Sequence, residues 1–164
     1  MKKTAFALLA GMIALASCMK SNSNACTNVP PSEEADDIRA YCYNNGIAPQ
    51  VDDTTGIFYQ VVSSGAADRI GSQYDTIIMS VVTKLLNGTQ LQKNDSVMAM
   101  TQNVPTLLLF GINKIGEGGQ IKMVSPSAYA YGCNGAKDNS GAQVVPANSP
   151  LYYEIKLLKL GKYK

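Results

Sequence analysis

Asn87-Gly88 restricts what this chain can fold into more than any other pair in it. It ends the run "YDTIIMSVVTKLL", rich in the β-branched residues that suit a pleated surface, and "SVMAMT" alternates beyond it. Asn-Gly beside such runs marks a hairpin of antiparallel strands, because both residues tolerate a positive φ. "GIFYQVV", the short "QIKMVS" and the long closing "PLYYEIKLLKL" also have strand character. Between the hairpin and "QIKMVS" the period lengthens. Leu107, Leu108, Phe110, Gly111, Ile112 and Ile115 repeat at helical spacing, Pro105 suits the first helical position, and "GEGG" stops the run. Strands around one helix imply an α+β fold with that helix on one face of the sheet. The last two strands are separated by "GCNGAKDNSGAQVVPANS", a loop longer than compact domains carry without using it.

Ahead of Thr55 the pattern is helical. Ser32 reads as an N-cap, and Ala35, Ile38, Tyr41 and Cys42 repeat along one face before Gly46. Glu33, Glu34, Asp36 and Asp37 crowd the first turns; they read as a solvated start matched to the helix dipole rather than as metal ligands. "MKSNSNACTNVPP" is a tether by composition. Lys2 and Lys3 followed by an apolar run have the layout of a secretory signal, and "LASC" resembles a bacterial lipobox. In such signals the cysteine, here Cys18, carries the lipid. Several acyl chains on it give stable anchoring. The expected organisation is a leader over 1–17, a tether over 18–31, a helix and linker over 32–54, and one domain over 55–164. The expected place is the cell envelope, lipid-anchored on the periplasmic side of the outer membrane, with no metal and no cofactor.

The chain has 14 Lys+Arg against 12 Asp+Glu, and the leader removes Lys2 and Lys3 from the excess. A balanced chain without a clustered basic surface excludes a nucleic-acid footprint and favours a partner bound by apolar contacts. Cys26 and Cys42 flank the predicted helix and are candidates to pair in an oxidising compartment. Cys133 is then a free thiol. With 0 His in the chain it has no ready base, so a structural role is expected of it.

The order of these segments resembles the FKBP family of peptidyl-prolyl isomerases. "TGIFYQVVSSGAADRIGSQYDTIIM" is similar to the family's first strand, glycine turn and second strand, and "LLNGTQL" to its L-x-D-G-x-x-F hairpin. "GINKIGEGGQIKMVSPSAYAYG" resembles the helix end, strand and A-Y-G loop. "VVPANSPLYYEIKLLKL" resembles the closing strand. The preceding "SEEADDIRAYCYNNGIAPQVDDTTGIFYQVV" looks like the N-terminal part of lipoprotein members from Bacteroidetes-type bacteria. The resemblance implies an antiparallel sheet of five to six strands curved around one short helix, with an N-terminal helical extension. It also implies a chemistry without acid, base or metal. Rotation about an X–Pro bond crosses a barrier of roughly 18–20 kcal/mol set by C–N double-bond character. The twisted amide is less polar than the planar one, so a dry apolar pocket favours it.

Carried over position by position, the resemblance makes Tyr131, Tyr153 and Leu108 the catalytic surface: a loop hydroxyl, an aromatic and the pocket floor. Val104, Leu91, Val144 and Val145 match apolar walls and rim. Three positions depart from the family. Val81 replaces a tyrosine, Gln92 an aspartate, and Pro105 stands where a backbone N–H holds the substrate, which proline lacks. Three functions follow from this pattern. The first is a lipid-anchored isomerase of weak activity acting on proline-containing or unfolded chains. The second is an impaired module that only binds apolar segments, as a chaperone or assembly factor. The third is an envelope lipoprotein with the fold and no open pocket.

Overall fold

The structure is a computed structural model that describes residues 26–164. The leader, Cys18 and the first part of the tether lie outside the described residues. In chain order the elements are α1 (Pro31–Asn44), β1 (Gln50–Val51), β2 (Phe58–Ser63), β3 (Thr76–Leu85), β4 (Gln90–Met100), α2 (Thr106–Ile112), β5 (Gln120–Ser125), β6 (Ala136–Lys137), β7 (Gln143–Val145) and β8 (Leu151–Gly161). Six of the strands form one antiparallel sheet in the order β1-β2-β5-β8-β3-β4. This is the α+β architecture expected from the alternation of the strand runs.

β8 sits inside the sheet and organises both faces. Leu151, Tyr153, Ile155 and Leu157 alternate onto one face, where they are buried with Met123 of β5 and with Ile112 and Ile115 from α2 and its exit. Gly111 lets α2 press against that face: a Cβ there would lie 2.6 Å from the Met123 Sδ. Tyr152 and Val124, one residue out of phase, point to the other face and pack with Phe58, Ile38 and Cys42. The sheet is therefore a middle layer, with α2 on one side and α1 on the other.

Several local readings change. α1 opens at Pro31 with Pro30 as its N-cap, so Ser32 lies inside the first turn; proline fits there because the first N–H has no helical partner anyway. At the Asn87-Gly88 hairpin only Gly88 takes a positive φ, 90°, and the Leu85 N–H closes on the Thr89 carbonyl at 2.9 Å. The long stretch before β8 is not loop throughout, because β6 and β7 pair within it. Asp138 shapes their turn by accepting from the Ser140 and Ala142 N–H groups at 2.8 and 3.0 Å.

The cysteine pairing also differs. Cys26 is bonded to Cys133 across 107 positions, and Cys42 is the buried free thiol. The helical period explains this: Cys42 shares the inward face with Ile38 and is spent on packing, whereas Cys26 precedes the helix. The end of the expected tether is held as well. Asn28 Oδ1 accepts the Cys133 N–H at 2.9 Å, and Asn148 Oδ1 accepts the Val29 N–H at 3.4 Å.

Candidate functional site: an uncharged cavity under a tyrosine loop

Where β3 and β4 leave α2, the core face stays open and forms a cavity of about 450 Å³. β3 supplies Met79, Val81 and Thr83, and β8 supplies Tyr153 beside them. Val104, Pro105, Leu107 and Leu108 form the wall at the entry to α2, and Tyr129, Ala130 and Tyr131 close the opposite side. The registers explain the convergence, since Tyr153 lies opposite Thr83 on one side and Met123 on the other. No lining residue is charged. The polar groups are the tyrosine and threonine hydroxyls and the amides of Gln92, Asn94 and Asn103.

The β4 wall shows a break in phase. Gln92 and Asn94 face the cavity, and so do Val97 and Ala99, although strict alternation cannot place all four on one side. A bulge resolves this: Met79 pairs with Val97 while Val81 pairs with Asn94, so β4 holds one extra residue. Met98 and Met100, from the same run, are exposed.

Most residues singled out from the sequence meet here. Tyr131, Tyr153, Leu108, Val81, Gln92, Val104 and Pro105 all line the cavity. Leu91, Val144 and Val145 do not. Leu91 packs against the core, Val145 is buried in it, and Val144 points outward from β7. Met79, Thr83, Asn94, Val97, Ala99, Asn103, Leu107, Tyr129 and Ala130 line the cavity without having been singled out. The period-2 pattern of β3 was a usable signal for Met79 and Thr83; the bulge hides the β4 set.

Electrostatically the site is built to stay neutral. Burial pushes the Tyr153 phenol well up, and the adjacent Tyr131 phenol adds to this, so Tyr153 is a hydroxyl donor throughout the physiological range. Tyr131 is half exposed at the rim. Its loop has two 3-10 turns, Ser127–Tyr129 and Gly132–Asn134, joined through Ala130 at φ −107°, ψ −101°. Gly132 takes φ +55°, and a Cβ there would collide with the Asn28 side-chain oxygen. Pro105 caps α2 and accepts from the Leu108 and Leu109 N–H groups at 2.9 and 3.0 Å, but it offers no N–H itself.

Two other features are not of this kind. A larger hollow of about 610 Å³ lies between α1, the β3–β4 turn and the segment before β8; it is lined largely by turn and loop residues and by none of the candidate catalytic or substrate-binding residues. Among the described residues no three His, Cys, Asp or Glu side chains gather in a metal-binding group.

The profile of the FKBP-type peptidyl-prolyl cis-trans isomerases matches residues 68–158, more than half of the chain and inclusive of every cavity residue. The chain belongs to that family. Over 109 residues it is 28% identical to the FKBP-type peptidyl-prolyl cis-trans isomerase FkpA of Escherichia coli, a match covering 64% of this chain and 38% of that protein. The chain thus spans well under half the length of the curated relatives it matches. Its fold superposes on the crystal structure of Escherichia coli FkpA with a TM-score of 0.58 and 25% identity, covering 80% of this chain and 62% of the other. A peptidyl-prolyl cis-trans isomerase from Pseudomonas syringae pv. tomato gives a TM-score of 0.60 at 20% identity, covering 83% and 99%. Segment 26–67, with α1 and the Cys26 half of the disulfide, precedes the family-matched region.

Proposed function

We propose that the chain is a peptidyl-prolyl cis-trans isomerase, exported and lipid-anchored through Cys18, that acts on proline-containing or unfolded chains at the cell envelope. The observation that carries this reading is the cavity of about 450 Å³ whose lining holds no charge and includes the half-exposed Tyr129 and Tyr131 beside the buried Tyr153. A planar prolyl amide entering it loses water from its carbonyl, and Val81, Val104, Leu108 and the Tyr153 ring offer nothing polar in exchange. The twisted amide, less polar, loses less, and that difference lowers the barrier. Tyr131 donates its hydroxyl to the flanking backbone and fixes the segment while the bond turns.

Export is supported by the Cys26–Cys133 disulfide, which suits an oxidising compartment. The leader over 1–17 and the lipid on Cys18 remain the sequence-based part of the proposal, as does the Bacteroidetes-type affiliation. Cys18→Ala should release the protein from the membrane fraction, and unchanged membrane association refutes the anchor.

A second reading, a module that binds apolar segments without efficient turnover, is favoured by Pro105, which has no N–H to hold the substrate, and by Gln92 as a neutral amide. A protease-free isomerisation assay on the full chain separates the two. A rate above buffer that scales with protein supports the enzyme. A rate equal to buffer at high protein concentration refutes it, and suppressed aggregation of an unfolded client in the same sample then selects the binding module.

A further inference from the structure

We propose that Glu34, on α1 and outside the family-matched region, is the positioning residue of the cavity's tyrosine wall. The proposal rests on the reading of that cavity as the peptide site.

Glu34 behaves unlike the acids around it. Four acids begin α1, an arrangement expected to be solvated, yet Glu34 is only 6% exposed, whereas the side chain of Asp36 is 94% exposed. A buried carboxylate is costly unless its oxygens are bonded. Both oxygens of Glu34 are used on one residue 93 positions away: Oε2 accepts the Ser127 N–H at 2.7 Å and Oε1 accepts the Ser127 hydroxyl at 2.5 Å. Charge-assisted bonds of this kind are the strong ones in a protein interior.

Ser127 is fully buried and opens the turn that carries the wall. From it the Tyr129 N–H reaches back to the Pro126 carbonyl at 3.1 Å and the Ala130 N–H to the Ser127 carbonyl at 2.9 Å. Tyr129, Ala130 and Tyr131 follow immediately, on no strand or α-helix. Their far end is pinned at Cys133 by Asn28 and the disulfide. The wall is thus a short span between two anchors, both supplied by the segment ahead of the sheet. α1 itself is seated independently by Ile38 and Cys42 against Phe58, Val124 and Tyr152, so loss of the carboxylate frees the loop without freeing the helix.

The test uses the full chain with Glu34→Ala, Glu34→Gln and Ser127→Ala. Glutamine can still accept the Ser127 N–H and donate to the hydroxyl, so it is the rescue. Amide hydrogen exchange reads the loop, and KM and kcat on a tetrapeptide with leucine before proline read the site. In Glu34→Ala, amides 128–134 should exchange on the order of tenfold faster, and KM should rise by a similar factor with kcat less changed. β5 and β8 amides should keep their rates, and Glu34→Gln should stay within about twofold of the wild type on each readout. Ser127→Ala, which removes only the hydroxyl bond, should move the loop less. Unchanged loop exchange in Glu34→Ala, equal acceleration in β5 and β8, or failure of Glu34→Gln to restore the loop overturns the proposal. A wild-type chain without turnover overturns the isomerase reading instead and leaves hydrogen exchange to decide the role of Glu34.

Discussion

Removing the Cys26–Cys133 disulfide by Cys26→Ser should lower stability substantially, and its size follows from the chain. The bond joins positions 107 apart, so in the unfolded state it closes more than three quarters of the described segment. Chain-entropy arguments give about 4.7 kcal/mol for a loop of about 100 residues, and native disulfides typically deliver about 2–5 kcal/mol. For a domain of this size roughly 3 °C of melting temperature corresponds to 1 kcal/mol. The expected fall is therefore about 6–15 °C, read by circular dichroism, with reductant producing a similar fall in the wild type. Cys42→Ser should leave the disulfide in place, since Cys42 sits between α1 and the sheet. Peptide mapping without reductant should link the segment containing Cys26 to that containing Cys133. A Cys26→Ser midpoint unchanged from the wild type, or a native Cys133 open to alkylation, would refute the reasoning.

Tyr131→Phe removes one hydroxyl from a half-exposed side chain, so the melting temperature should hold while affinity for a proline peptide falls. One neutral hydrogen bond of about 0.5–1.5 kcal/mol corresponds to about two- to tenfold, and titration calorimetry showing full affinity would contradict the assignment. Gly111→Ala brings a methyl to 2.6 Å from the Met123 Sδ inside a filled core. The overpacking, about 1–3 kcal/mol, should outweigh the roughly 1 kcal/mol of helical propensity gained; a stabilised variant in urea titration would show that α2 is not pressed on β5. Asp75 accepts the Gly71, Tyr163 and Ser72 N–H groups, which hold its carboxyl down from 3.8 to about 2. Because the folded value is the lower one, its contribution is complete above the unfolded value and is lost as pH falls toward 2. The wild type's thermal advantage over Asp75→Asn should shrink between pH 5 and 2, and a constant gap would exclude the linkage.

Much of the sheet was legible because one residue type at a time decides it. The alternation in "PLYYEIKLLKL" places Leu151, Tyr153, Ile155 and Leu157 on one face and Tyr152 on the other, and the structure keeps that division. The helix around Leu108 was legible for the same reason. What escaped depends on contacts between distant positions or on a change of phase. The bulge in β4 carries no local signature in "QLQKNDSVMAM", yet it decides that Gln92 and Val97 share a face. The pairing of Cys26 with Cys133 rather than Cys42 spans the domain and is set by which helix face turns inward. Glu34 reads as one more acid at a helix start until the fold brings Ser127 beneath it. Of the residues the family pattern singles out, Tyr131, Tyr153, Leu108 and Val104 line the cavity, whereas Leu91 and Val145 pack with the core and Val144 is exposed.

The claim that prolyl rotation takes place in the cavity between β3, β4, α2 and the tyrosine loop is tested most directly by exchange NMR. A peptide with leucine before proline is held at equilibrium with the full chain. Wild-type protein should accelerate cis-trans exchange, the peptide should shift Val81, Val104 and Tyr131 resonances, and Leu108→Ala, which removes apolar wall from a half-buried site, should slow the exchange several-fold or more. Exchange at the protein-free rate, or acceleration that Leu108→Ala leaves untouched, would contradict the account.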